Sequence, residues 1–291
     1  MKKKIRFIIN PNSGTSKGQE FPALINKGID KNIFEVEIFH TEYAGHGEEL
    51  GAEAVRNDYF AVIAVGGDGS VQEIAKATSG TKTLLGIIPK GSGNGLSRHL
   101  SIPMNVESAM AIINKGNSKS IDTLKVNNKL CLNVFGIGFD AHIANLFSKS
   151  KKRGYITYVK LVLREFGRFK PLELVINADG KEIKLKSFLS TIANGSQFGN
   201  NAMIAPLADI TDGLIDVCTM KKFPFYIAPS LIYLLMKNKI NHSQYYSMFR
   251  AKEITIHSSK PIMAHLDGEP QEFGDTVHVN IQPKSLKIIV P

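Results

Sequence analysis

The chain has 291 residues, of which 43% are hydrophobic, so it can bury one or two cores without a disulfide or a metal. Its 36 Lys and Arg residues exceed its 26 Asp and Glu residues, and the net charge of +10 favours an anionic partner: a nucleotide, a nucleic acid or an acidic membrane surface. Two isolated cysteines, Cys131 and Cys218, exclude a disulfide scaffold and are typical of a reducing, cytoplasmic setting. The longest apolar stretch, residues 223–236, contains two prolines and is too short for a spanning helix, so we expect a soluble chain.

The first third of the chain alternates apolar runs with helical patterns. Four runs have the pattern of strands: 5–10, 34–39, 59–65 and 84–88. Three segments have the pattern of helices: 48–56, 71–78 and 105–114. Strands that are apolar throughout and separated by helices predict a parallel α/β sheet.

From about residue 121 the pattern changes to short β segments. Asn127-Asn128 and Asp179-Gly180 each lie between two apolar runs and predict hairpin turns. Further β segments follow at 214–220, 253–257, 261–266, 277–281 and 286–290. Helical patterns interrupt them at 155–166 and 227–237. The sequence therefore predicts an α/β domain followed by a mostly antiparallel β domain.

Three polar loops follow three of the predicted strands, with the sequences N-P-N-S-G (10–14), G-G-D-G-S (66–70) and G-S-G-N-G (91–95). The carboxyl ends of parallel strands share one edge of the sheet, so we expect the loops to converge there. Glycine lets the backbone approach a phosphate closely. Helices that begin near Ser70 and Gly95 would also direct the positive ends of their dipoles toward the phosphates. Together the loops predict a triphosphate site, although each alone is also explained as a tight turn between a strand and a helix.

Other nucleotide motifs match poorly. The run 86–91 is followed by Ser92, where the P-loop pattern requires Lys. Residues 136–141 match G-x-G-x-x-A, but they lie among predicted hairpins and are weak evidence for a dinucleotide site.

Six short motifs follow one another along the chain: Asn10-Pro-x-Ser13-Gly14, Thr41 with Gly45-His46, Gly66-Gly67-Asp68-Gly69-Ser70-x-x-Glu73, Pro89-x-Gly91-Ser92-Gly93-Asn94, Asp212-Gly213-Leu214-x-Asp216 and Asp267-Gly268-Glu269. In this order they resemble the motifs of the diacylglycerol kinase catalytic-domain family, which includes bacterial lipid kinases and sphingosine kinases. The resemblance covers nearly the whole chain. It implies a Rossmann-like nucleotide-binding domain, a mostly antiparallel β-sandwich, and an active site in the cleft between them.

The resemblance also implies domain bounds. Residues 1–122 would form the nucleotide-binding domain, and residues 285–291 would return to it as a last strand. Residues 123–284 would form the lipid-binding sandwich.

Phosphoryl transfer requires aligned phosphates, neutralised charge and a positioned hydroxyl. The expected ATP-binding residues are Asn10, Ser13, Gly14, Thr41, Gly66, Gly67, Asp68, Gly69, Ser70, Gly91, Ser92, Gly93 and Asn94. Asp68 would bind or orient the catalytic Mg²⁺, Asp267 would act as the general base, and Glu269 would assist with metal or nucleotide. Without the resemblance, Asp68 is also explained as a helix-start charge, and Asp267 as part of a plain β-turn.

One departure from the family concerns a structural metal. Many bacterial members have Asp where this chain has Gly95, and that acid would belong to an Asp–water–Mg²⁺ network. By resemblance, the structural Mg²⁺ would use Asp212 and main-chain carbonyls near Asp209 and Leu214. The acid that would complete this network is therefore absent from the chain.

The resemblance predicts a cytoplasmic lipid kinase that works peripherally at an anionic membrane on diacylglycerol or a sphingoid-like lipid. Two segments could contact that membrane, the basic stretch 149–170 and the apolar stretch 223–236, although both could equally be core helices. A soluble-substrate kinase related to NAD kinase and a catalytically silent nucleotide-binding regulator are the alternatives. No nucleic-acid-binding motif is present, and a homodimer is left open.

Overall fold

The computed structural model describes residues 2–14, 21–91, 93–150 and 155–291. It divides into two compact units, one of Met1–Thr123 with Pro283–Pro291 and the other of Leu124–Gln282. Within the described residues, no helix reaches the length and apolarity needed to cross a bilayer.

The first unit is built on a parallel sheet with strand order β2-β1-β3-β4. Its strands are β1 Lys3–Ile9, β2 Phe34–His40, β3 Ala61–Gly66 and β4 Leu84–Pro89. Its helices are α1 Phe21–Gly28, α2 His46–Arg56, α3 Asp68–Thr78, α4 Gly95–His99 and α5 Val106–Lys115. Every residue of β3 and β4 is buried, as their continuous apolar sequences predict.

The end of the chain completes this unit. Strand β5 spans Ser118–Val126, and the long strand β16 spans Thr276–Ile289. Ile288 pairs with Leu85 of β4 in parallel register, so the carboxyl-terminal residues join the first sheet. The hydroxyls of Thr123 and Ser285 lie 2.8 Å apart and tie β5 to the returning strand.

The second unit is a sandwich of antiparallel strands. One layer has the order β12-β11-β10-β7-β14-β15, and the other contains β16, β13, β8 and β9. The strands are β6 Lys129–Cys131, β7 Val134–Gly138, β8 Leu172–Ala178, β9 Lys181–Ser187, β10 Leu189–Ala193, β11 Ile215–Met220, β12 Tyr246–Ala251, β13 Glu253–Ser258, β14 Ile262–Leu266 and β15 Glu269–Phe273. Side chains of both layers, such as Phe135, Ile192, Ile176 and Ile254, share one buried core.

Three helices lie in the second unit: α6 Phe139–Ser148, α7 Tyr155–Phe166 and α8 Ala228–Met236. Single-turn 3₁₀ helices occur at Phe225–Ile227 and Ile240–His242. The two predicted hairpins are confirmed, with Asn127 and Asp179 at positive φ in the turns of β5–β6 and β8–β9.

The predicted fold class, an α/β domain followed by a β-sandwich, is confirmed, but individual elements differ. The sequence patterns missed two helices, α1 and α6, and four strands, β7, β10, β12 and β15. The runs 277–281 and 286–290, predicted as two strands, form the single strand β16. On either side of Pro283, the amide of Ile281 donates to the carbonyl oxygen of Lys252 at 3.1 Å and the amide of Lys284 donates to Asp122 Oδ1 at 2.7 Å.

Candidate active site

The second and third glycine loops, at the ends of β3 and β4, are in backbone contact. A Cβ added to Gly91 would lie 2.6 Å from Gly67 Cα, and one added to Gly67 would lie 3.2 Å from Gly91 Cα. The amide of Lys90 donates to the carbonyl oxygen of Gly66 at 2.7 Å. Glycine at both contact positions therefore lets the two loops lie against each other.

The first loop, at the end of β1, contacts both of the others. Asn10 Nδ2 donates to Ser70 Oγ at 3.2 Å, and Ser13 Oγ lies 3.4 Å from the position of a Cβ on Gly66. Gly14 has a φ of 72°, and a Cβ there would lie 2.6 Å from the carbonyl oxygen of Lys90. The structure thus brings the three loops together, while Ser92 lies outside the described residues.

Asp68 joins the second loop to the third. Its Oδ2 accepts the amide of Asn94 at 2.8 Å, and its Oδ1 accepts the amide of Gly95 at 2.9 Å. A Cβ on Gly93 would lie 2.9 Å from the same Oδ2. Asp68 therefore acts as an acceptor at the start of α4 and places a negative charge where the two loops meet.

Glu73 has a role that the sequence reasoning did not assign. Its Oε1 accepts the amide of Gly45 at 2.8 Å, and its Oε2 accepts the amide of Gly47 at 3.0 Å. Thr41 lies four residues before Gly45, directly after β2, and donates its amide to Ile9. Glu73, the last residue of the G-G-D-G-S-x-x-E motif, thus fixes the segment that follows Thr41. Its position in the motif is the sequence feature that could have predicted this role.

Two positive features lie beside the loops. The amino-terminal end of α3, which holds Gly69 and Ser70 in its first turn, has no side-chain cap, so its amides and helix dipole favour an anion. Lys90 Nζ is buried 4.5 Å from the ring centroid of Phe21, with no hydrogen-bond partner in the described part of the chain. Burial lowers the pKa of Lys90.

Asp267 lies in the tight turn between β14 and β15, where it and Gly268 both have positive φ. Its Oδ1 accepts the amides of Asn133 and Val134, each at 2.9 Å, and its Oδ2 accepts the amide of Leu132 at 2.8 Å. Three consecutive amides therefore hold the carboxylate in one orientation. Among described residues, Oδ2 receives a single hydrogen bond, so this oxygen has remaining acceptor capacity.

His265 supports the turn that carries Asp267. The amide of Gly268 donates to His265 Nδ1 at 3.2 Å, which requires the ring proton on Nε2, and Nε2 then donates to Asp140 Oδ2 at 3.2 Å. Gly136 faces this pair, and a Cβ there would lie 2.2 Å from His265 Nε2 and 2.3 Å from Asp140 Oδ2. The G-x-G-x-x-A match at 136–141 is thus accounted for by packing in an antiparallel sheet.

The remaining predicted residues lie in the second unit. Glu269 is exposed at the start of β15. Asp209, Asp212 and Leu214 lie in the loop before β11, where Asp212 Oδ1 accepts the amide of Leu214 at 3.0 Å. Arg250, which sequence reasoning did not single out, contacts this loop through the carbonyl oxygen of Leu207 and also binds Asp216.

Comparison with known proteins identifies relatives for both units. Residues 4–126 match the family model of the diacylglycerol kinase catalytic domain, and residues 133–290 match the YegS C-terminal NAD kinase beta sandwich-like domain. A diacylglycerol kinase of Bacillus subtilis (strain 168) is 27% identical, and the alignment covers 97% of each chain. A Pseudomonas putida protein named probable lipid kinase YegS-like is 26% identical over 85% of this chain and 83% of its own.

A solved structure shares the fold. The crystal structure of a diacylglycerol kinase from Bacillus anthracis str. Sterne has a TM-score of 0.75 and 21% sequence identity, and the match covers 99% of this chain and 97% of the other.

Proposed function

This chain belongs to the diacylglycerol kinase family, and from that premise we propose that it transfers the γ-phosphate of ATP to a free hydroxyl of a membrane lipid in a Mg²⁺-dependent reaction. The family makes it a phosphotransferase with an alcohol group as acceptor. The observation that carries the proposal is the contact of three glycine loops at one edge of a parallel sheet.

The nucleotide end of the reaction rests on the first unit. ATP use follows from the kinase family, and the loop backbones with the uncapped end of α3 provide the amides that phosphates bind. Mg²⁺ is a hard cation that neutralises phosphate charge, and Asp68 would bind or orient it, because each carboxylate oxygen that accepts one loop amide keeps a second lone pair. Asn10 and Thr41 would flank the nucleotide.

The acceptor end rests on Asp267. A general base must present an oxygen to the hydroxyl whose proton it takes. The three amides of residues 132–134 fix the Asp267 carboxylate, and Oδ2 keeps capacity for one more hydrogen bond among described residues. We assign the base role to this oxygen, and Glu269 would assist with metal or nucleotide.

The acceptor class separates this proposal from its main alternative. The second unit matches a family described as NAD kinase beta sandwich-like, so a soluble acceptor related to NAD is the competing substrate. Labelled ATP and Mg²⁺ would be offered with diacylglycerol, a sphingoid base or NAD, the lipids being presented in mixed micelles. Label in a lipid supports the proposal, label in NAD supports the alternative, and label in neither with intact ATP binding supports a silent nucleotide-binding regulator.

A lipid acceptor requires contact with a membrane, and α8 is the better of the two candidate segments. Of the twelve large apolar side chains that are exposed among the described residues, five lie within it and the preceding 3₁₀ turn: Phe225, Tyr226, Ile232, Tyr233 and Met236. Within α8, Ile232 and Tyr233 lie four and three residues before Met236, so these three side chains share one helical face, and Phe225 and Tyr226 precede them in the 3₁₀ turn. Among the described side chains of α7, the large apolar ones that are exposed are Tyr158 and Leu163, and these point about 140° apart.

The charge around the α8 face favours an anionic bilayer. Residues 220–240 contain no Asp or Glu, and the exposed Lys221, Lys237 and Lys239 flank the apolar side chains. A second copy of this chain, docked through the same face by a twofold axis, would bring lysines against lysines. An anionic lipid surface would instead neutralise them while its interface receives the Tyr and Phe rings.

Vesicle co-sedimentation tests this surface without nucleotide. We expect wild type to bind phosphatidylcholine vesicles only when they contain phosphatidylglycerol, and the double substitution Tyr226→Ser with Tyr233→Ser to bind about tenfold more weakly. Leu163→Ser on α7 is the matched control and should bind normally. Loss of binding in the α7 variant alone, or no binding by wild type, would reject the α8 surface. Kinase activity measured separately on lipid in micelles would still test the proposed phosphate transfer if the membrane surface were rejected.

A further inference from the structure

The loop Asp209–Asp216 does not have the donor arrangement of a divalent metal site. In the regions the structure describes, no group of three or more His, Cys, Asp and Glu side chains is placed to hold a metal. Hydrogen bonds within the loop engage the oxygens that the family resemblance assigns to Mg²⁺. Asp212 Oδ1 accepts the amide of Leu214 at 3.0 Å, and the main-chain carbonyl oxygen of Asp209 accepts the amide of Asp212 at 3.3 Å.

A positive charge from the protein itself is present at this loop. Arg250 lies directly opposite Asp216 on the paired strands β11 and β12, and its Nε donates to Asp216 Oδ1 at 2.9 Å. Its Nη2 donates to the carbonyl oxygen of Leu207, and its Nη1 lies 3.8 Å from Asp212 Oδ2. One guanidinium therefore contacts two carboxylates and a main-chain carbonyl.

These contacts are of the kind that Mg²⁺ makes in proteins, since both cations seek carboxylate and carbonyl oxygens. The Asp216 side chain is only 2% exposed, so its charge needs a partner close by, and the planar guanidinium supplies charge and directed hydrogen bonds together. The hydrogen bond that Arg250 donates to Asp216 raises the pKa of Arg250, and the charges of Asp212 and Asp209 raise it further. A divalent cation beside this guanidinium would be repelled.

We propose that Arg250 is the resident cation of the Asp209–Asp216 loop and takes the place of the structural Mg²⁺ that the family resemblance implies. Gly95 agrees with this proposal, because it stands where many bacterial members have the Asp that the resemblance links to the same metal. The second unit then needs no divalent cation for its stability, and any Mg²⁺ requirement of the protein belongs to the nucleotide.

Thermal unfolding of the full chain without nucleotide tests the proposal. The melting temperature of wild type would be measured after chelation with EDTA and again in excess MgCl₂, with Mg²⁺ binding followed by calorimetry. Arg250→Met removes the guanidinium, and Asp212→Asn removes the carboxylate assigned to the metal. Arg164→Met is the matched control, because it removes an exposed arginine that pairs with Glu165 on α7.

We expect wild type and Arg164→Met to melt at the same temperature in EDTA and in MgCl₂. Arg250→Met should melt at a lower temperature in EDTA and regain part of the loss in MgCl₂, because its carboxylates are then open to a cation. A melting temperature of wild type that falls on chelation, together with Mg²⁺ binding that Asp212→Asn abolishes, would overturn the proposal. So would an Arg250→Met variant that is as stable as wild type, or one that Mg²⁺ does not restore. No substrate is used, so these outcomes do not depend on the kinase proposal.

Discussion

His265 and Asp140, 125 residues apart in the chain, are joined by a partly buried hydrogen bond that links β14 to the start of α6. The other ring nitrogen of His265 accepts the amide of Gly268, so the imidazole holds the turn that presents Asp267. The arrangement depends on Gly136, which pairs with His265 across the sheet and leaves room for both side chains. The base proposed for the reaction is thus positioned by a strand, a turn and a helix terminus together.

Gly136→Ala should destabilise the second unit by about 1–3 kcal/mol, because the new methyl group would overlap both members of the His265–Asp140 pair. Urea unfolding measures the free energy. Gly167→Ala is the control, since a Cβ there meets no atom within 4 Å. Equal unfolding midpoints for the two variants would show that the pair does not need the space that Gly136 leaves.

Asp267→Asn should lower the free energy of unfolding by about 1–3 kcal/mol as well as affect transfer. The asparagine oxygen can still accept the amides of Asn133 and Val134, but its NH₂ group would then face the amide of Leu132. Two donors would face each other in place of one hydrogen bond. Chemical denaturation with a fluorescence or circular dichroism readout measures the loss, and an unchanged midpoint would mean that the three amides are not bound as described.

Gly91→Ala should lower kcat/KM for ATP, on the order of 100-fold, because a Cβ at 2.6 Å from Gly67 Cα must push the second and third loops apart. Gly274→Ala, where a Cβ has open space, is the control. Steady-state kinetics at varied ATP gives the parameters, and a melting curve separates a local displacement from unfolding. Near-wild-type kinetics in Gly91→Ala would argue against a phosphate site built from these loops.

Both cysteines should resist thiol reagents in the folded protein. Burial raises the pKa of Cys218 to about 12, and burial with the nearby Asp267 charge raises the pKa of Cys131 well above its usual range. Only the thiolate reacts, so a raised pKa keeps the thiols protonated and unreactive until the solution is strongly alkaline. Ellman's reagent at mildly alkaline pH should find no thiol before denaturation and two after it. Prompt labelling of the folded chain would contradict the buried placement.

The nucleotide end of the site could be predicted from the sequence, because its geometry is local. Each glycine loop directly follows an apolar strand, and parallel strands bring such loops to one edge. Glu73 could have been assigned in the same way, since it lies at a fixed spacing from Asp68 within one motif.

The features that could not be predicted depend on strand pairing between distant residues. Gly136 meets His265, and Asp216 meets Arg250, only because β7 pairs with β14 and β11 pairs with β12. The patterns of β7 and β12 were not recognised as strands, so neither register could be derived. The three amides that bind Asp267 are backbone groups, so the identities of the residues that carry them do not predict the contact.

The proposed reaction transfers phosphate from ATP to a lipid hydroxyl with Asp267 as the base. It is tested by the initial rate of label transfer from γ-labelled ATP with Mg²⁺ into mixed micelles of diacylglycerol, for wild type and for Asp267→Asn under conditions where both are folded. We expect labelled lipid from wild type and a rate lower by roughly 100-fold or more from the variant, with ATP binding retained. A variant rate within a few-fold of wild type would contradict the base assignment, and label in NAD but in no lipid would contradict the lipid kinase itself.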